Sequence, residues 1–70
     1  MRAQRYRITV CGRLDEAGRE AFGGFDITPD GTNTLLTAIL DQAGLHGTLH
    51  RIRALGLELA EITPLADVAS

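Results

Sequence analysis

The chain has a single cysteine, Cys11, so no disulfide forms within it and no cysteine-rich zinc site is available. It has no tryptophan, one tyrosine and two phenylalanines, and aromatic residues make up only 4%. Lysine is absent, and all seven basic residues are arginine, a pattern that GC-rich coding explains as readily as any function. No apolar run approaches the roughly 20 residues that span a membrane, which sets membrane partners aside. No apolar stretch follows Met1-Arg2-Ala3-Gln4-Arg5, so no secretory signal is expected there. These absences lead to the expectation of a cytoplasmic protein whose one thiol stays reduced.

At 70 residues the chain makes one domain, 1–70, with an ordered core expected over 5–63. A chain this short buries about 60% of the surface that its unfolded form exposes, which leaves it marginal as a monomer. With disulfides and cysteine-bound metal set aside, self-association is the remedy left, and a 44% hydrophobic content suits a homodimer. The net charge of −2 argues against a nucleic-acid partner, which would need a basic footprint. Even so, Arg2, Arg5, Arg7 and Arg13 crowd the first fifth of the chain.

The periodicity gives the order of elements. Residues 5–14 alternate, with Tyr6, Ile8, Val10 and Leu14 on one side and Arg5, Arg7, Thr9, Cys11 and Arg13 on the other, which predicts a strand with one buried face. Leu14, Ala17, Ala21 and Phe22 then fall at helical spacing over 15–22. Asp15 and Glu16 lie at the helix start, Gly18 weakens its middle, and Gly23-Gly24 end it. A second strand at 24–29 turns through Pro29-Asp30-Gly31, with proline at the first central position, into a third at 32–40. Asp41 caps a second helix over 42–55, whose Leu45, Leu49 and Ile52 share a face and which Gly56 stops. The last strand covers 57–63, and the tail from Leu65 is expected to fray. There is no repeat, linker or low-complexity tract.

The order β-α-β-β-α-β predicts an α+β, ferredoxin-like βαββαβ sandwich, a four-stranded antiparallel sheet with both helices on one face. The other face is left bare. In the expected register it presents Thr9, Cys11, Leu36, Ala38, Ala60 and Ile62, an apolar patch that would drive dimerisation.

Residues 40–59, together with the Tyr-Arg-Ile-Thr-Val strand at 6–10 and the Pro-Asp-Gly hairpin, resemble a pattern in short uncharacterised bacterial proteins. That resemblance implies the fold and carries no chemistry with it. Families better known for this topology fit poorly. Copper-chaperone domains need two cysteines in a Cys-x-x-Cys loop. RNA-recognition domains need stacking aromatics where this chain offers Arg7, Thr9, Cys11, Thr34 and Leu36. Amino-acid-sensing domains of the ACT type match only weakly at Gly12-Arg13-Leu14-Asp15.

Few residues can carry chemistry. His46 and His50 lie four apart on the second helix, beside Arg53. They read as solvated side chains, as an acid/base or ligand-contacting pair, or as half of a metal site with Asp41 or Glu61 as conceivable third ligands; no metal is assigned. Cys11 lies among arginines that would favour its thiolate, or it fills an interface. Arg7 and Arg13 either pair with Asp26, Glu58 and Glu61 across strands or grip an anion. The expectation is a small homodimeric binding module for a polar or anionic ligand, or for a protein partner. Arg7, Cys11, Arg13 and Arg53 are its candidate contacts, and no cofactor is implied. The alternatives are a cofactor-independent isomerase or cyclase using His46 or His50 as acid/base, and a structural subunit of a larger assembly.

Overall fold

The computed structural model describes residues 3–65. The tail beyond Leu65 lies outside the described residues. The elements run β1 (Gln4–Cys11), α1 (Glu16–Ala21), β2 (Asp26–Asp30), β3 (Asn33–Leu40), α2 (Gln42–Ala54) and β4 (Leu59–Pro64). They form one four-stranded antiparallel sheet in the order β2-β3-β1-β4. This is the ferredoxin-like α+β arrangement that the periodicity predicts. Among the described residues no helix is long and apolar enough to cross a membrane.

The core is built from one face of the sheet and one stripe of each helix. Ile8 and Val10 of β1 and Leu36 of β3 meet Phe22 at the end of α1 and Ile52 of α2, and all five are buried, with Leu14 beside them. Leu40, Leu45, Leu49, Leu57 and Ile62 pack around this centre.

Both helices start in the same way. Asp15 Oδ1 accepts from the Gly18 amide at 2.8 Å, and Asp41 Oδ1 accepts from the Gly44 amide at 2.7 Å. Each is an N-cap that satisfies an amide of the first turn. The segments around them are Leu14-Asp15-Glu16-Ala17-Gly18 and Leu40-Asp41-Gln42-Ala43-Gly44. The chain therefore does contain a short repeat, at the strand-to-helix junction of each half. A Cβ on Gly18 would lie 3.2 Å from Leu14 Cδ2, and one on Gly44 would lie 3.4 Å from Leu40 Cδ2. Each glycine lets the leucine before the cap fold down against the first turn.

α1 and α2 are fastened by one side chain. Arg51 Nη1 donates to the Ala21 carbonyl at 2.7 Å, and its guanidinium carbon lies 5.8 Å from the centre of the Phe22 ring. Phe22 in turn meets Phe25 edge to face, with ring centres 5.5 Å apart. The bond satisfies a carbonyl left over at the end of a helix of only six residues.

Three further expectations need correction. β1 ends at Cys11 rather than residue 14, because Gly12 takes φ 86° and turns the chain out of the sheet. The hairpin loop is Gly31-Thr32, since Asp30 pairs with Asn33; Pro29 lies within edge strand β2, where its missing N–H faces away from the ladder. The open face is also differently made. Ile8 stands opposite Leu36 and Ile62, and Tyr6 opposite Ala38, so Leu36, Ala38 and Ile62 face the helices. The open face carries Arg5, Arg7, Thr9 and Cys11 of β1, Leu35, Thr37 and Ile39 of β3, and Asp26, Thr28, Glu61 and Thr63 from the edge strands. It is mainly polar, so the apolar patch expected to drive self-association is not there. Partners in register share a face, and a one-residue shift in parity reverses the whole set.

Candidate functional site

One concave feature lies along α2 and the chain that follows it, and local sequence builds both of its walls. His46, Leu49, His50 and Arg53 recur at helical spacing and line a hollow of about 200 Å³. It adjoins a second hollow of about 160 Å³ lined by Leu49, Ile52, Arg53, Leu57 and Leu59. Leu49 and Arg53 line both, so the two hollows adjoin at these side chains and outline a groove, apolar on the Leu57–Leu59 side and edged on the α2 side by two imidazoles and a guanidinium.

The far wall depends on two backbone devices. At the end of α2, Gly56 takes φ 74°, its amide bonds to the Arg53 carbonyl at 3.0 Å, and the Leu57 amide bonds to the Ile52 carbonyl at 3.0 Å. This is a Schellman closure, and it folds Leu57 back against Ile52. Next, the β1–β4 ladder shifts register between Thr9 and Val10, so that Thr9 faces Glu61 while Val10 faces Leu59. Ala60 is the extra residue of a bulge. Without it Leu59 would point to the open face; with it Leu59 lines the groove, 41% exposed.

Of the residues singled out from sequence, the fold brings His46, His50 and Arg53 together. It does not bring Arg7 and Arg13 together. Arg7 stands on the open face between Thr37 and Thr63. Arg13 follows the turn at Gly12 and, with Arg19, lines a separate hollow on the helix side of the sheet. Asp26 faces Thr37, so it is two strands from Arg7, or about 10 Å across the sheet. Glu61 lies one diagonal step from Arg7 and is the carboxylate within a long side chain's reach. Cys11 is exposed, opposite Asn33, and its amide donates to the Glu58 carbonyl at 2.8 Å.

Among the described residues no group of three or more His, Cys, Asp or Glu side chains is placed to hold a metal ion. Of the two third ligands considered for the histidine pair, Asp41 is engaged as a helix cap and Glu61 is on the opposite face of the sheet. A broader depression, about 730 Å³, runs past Arg5, the Gly23-Gly24 turn and the Leu40 end of β3. Arg5 is its one cation, and Asp26 also lines it.

Sequence reasoning missed two contributors. Leu57 and Leu59 complete the groove, and their spacing to Ile62 carried a signal: 57, 59 and 62 break period two by one residue, as a bulge does. Arg51 carried no signal, because its partners lie some thirty residues away on α1.

A family model described as a domain of unknown function (DUF8691) matches residues 5–63. No curated protein matches the chain, and no solved structure does.

Proposed function

We propose that this chain, which belongs to the DUF8691 family, is a small binding module whose ligand combines a carboxylate with an apolar body and sits in the groove between α2 and β4. The observation that carries the reading is the adjacency of the two hollows: Leu49 and Arg53 line both the apolar one, with Ile52, Leu57 and Leu59, and the one edged by His46 and His50. Arg53 offers a planar fork of donors suited to a carboxylate. The imidazoles add donors beside it, and the leucines take apolar surface out of water. The two hollows are small, which suits a compact ligand or one anchoring side chain of a protein partner.

The groove supports binding better than catalysis. A general base is usually held in orientation by a third group. The side-chain hydrogen bonds of the described residues involve Asp15, Thr34, Asp41, Thr48 and Arg51, and they hold neither imidazole.

Titration with octanoate, followed residue by residue by NMR, tests the reading. The expected result is saturable shifts confined to residues 46–59, at the millimolar affinity that suits about ten heavy atoms, with octanol binding more weakly. Arg53→Ala should weaken octanoate binding at least about tenfold, the effect of losing one charge-assisted contact. Shifts spread evenly over the surface, or equal binding of octanoate by the variant, would refute it.

A further inference from the structure

The edge of the sheet away from this groove holds a second concave site, built around the turn that ends β1. Gly12 redirects the chain, and Thr34 Oγ1 donates to the Gly12 carbonyl at 2.7 Å. Thr34 is only 4% exposed, so this bond ties the turn to the middle of the sheet. Arg13 emerges from the pinned turn. Arg19 comes from the last turn of α1 and lines the other side of the same hollow, about 260 Å³ in volume. Between them the floor is apolar, formed by Leu14, Ile27 and Pro29 with Thr34 at its base.

Two like charges brought to the rim of one hollow repel each other, which gives the fold nothing by itself. Both arginines are exposed, and among the described residues the only arginine held by a side-chain hydrogen bond is Arg51. One doubly charged oxyanion can accept a fork of donors from each guanidinium. The apolar floor gives such an anion's substituent somewhere to lie.

We infer that this hollow binds a phosphate monoester, with Arg13 and Arg19 clamping the phosphate and Leu14, Ile27 and Pro29 receiving its apolar or planar substituent. Thr34 is a positioning residue, acting through the Gly12 carbonyl to hold Arg13 in place. The site shares no residue with the α2–β4 groove, so it stands or falls independently of the function proposed there.

The experiment is a titration of the full chain with phenyl phosphate, read from backbone amide and arginine side-chain NMR signals. The expected result is saturable shifts at Gly12–Arg19, Ile27 and Thr34, with residues 46–59 unmoved. Inorganic phosphate, which cannot use the floor, should bind there more weakly, and phenol should not shift the arginine signals. Arg13→Gln and Arg19→Gln should each weaken phenyl phosphate about tenfold, and the double variant should abolish the effect. Arg7→Gln, on the open face, should bind as the parent does. Thr34→Val should weaken binding while leaving the other regions of the spectrum in place. Thr34 is buried, so if that variant unfolds, the exposed arginine variants decide. The inference is overturned if phenyl phosphate leaves Gly12–Arg19 unmoved, if the double arginine variant binds like the parent, or if inorganic phosphate binds as tightly as the ester.

Discussion

Replacing glycine by alanine inside a helix ordinarily stabilises a protein by about 0.5–1 kcal/mol, because alanine loses less backbone freedom on folding. At Gly18 the structure reverses that sign. A Cβ there would lie 3.2 Å from Leu14 Cδ2, 3.3 Å from Leu14 Cβ and 3.4 Å from Asp15 Oδ1. Carbon atoms sit comfortably at about 3.5–4.0 Å, so the two Leu14 atoms are too close, while the Asp15 oxygen is in ordinary contact. Leu14 is 8% exposed and packed in the core, so it cannot withdraw without disturbing other side chains. Overpacking of this kind costs about 1–3 kcal/mol. Set against the propensity gain, Gly18→Ala should destabilise by about 1 kcal/mol. Gly47 lies within α2 with nothing within 4 Å of its Cβ position, so Gly47→Ala should stabilise by about 0.5–1 kcal/mol. For a domain of this size the two melting temperatures should differ by about 10 °C. Thermal and urea unfolding followed by circular dichroism measure both. If Gly18→Ala proves as stabilising as Gly47→Ala, the packing of Leu14 onto the first turn is wrong.

Arg51→Ala should cost about 1–2 kcal/mol, from the lost bond to the Ala21 carbonyl and the contact with the Phe22 ring; Arg51→Lys should recover only part of it, and urea midpoints will tell them apart. Gly56→Ala forces a side chain into φ 74° and should cost about 1 kcal/mol or more, with Gly56→Asn milder. Because the Gly56 closure seats Leu57, the same variant should weaken octanoate in the α2–β4 groove while leaving phenyl phosphate at Arg13 and Arg19 unaffected, a separation that parallel NMR titrations would reveal.

Much of this molecule was legible from its residues alone. Alternation in β1 gave a strand with Ile8 and Val10 inward, because a strand's side chains alternate and water sorts them. Asp41 and Gly56 marked the start and stop of α2, because caps are local chemistry between neighbours in the chain. The placement of His46, His50 and Arg53 on one flank also followed from helical spacing.

Tertiary structure decided the rest. The run Thr34-Leu35-Leu36-Thr37-Ala38-Ile39-Leu40 has apolar residues of both parities, so nothing within it says whether Leu35 or Leu36 faces the core; pairing with Ile8 settles it. The bulge at Ala60 then places Leu59 beside α2, and thereby gives the histidine flank an apolar wall. Alternation over 5–14 puts Arg13 on the same side of one strand as Arg7, yet the turn at Gly12 ends that strand and places Arg13 beside Arg19 on the helix side of the sheet. Spacing along one element fixes which side chains share its surface. Which surfaces meet is fixed by register and by the connections between strands, and these depend on contacts between residues far apart in sequence.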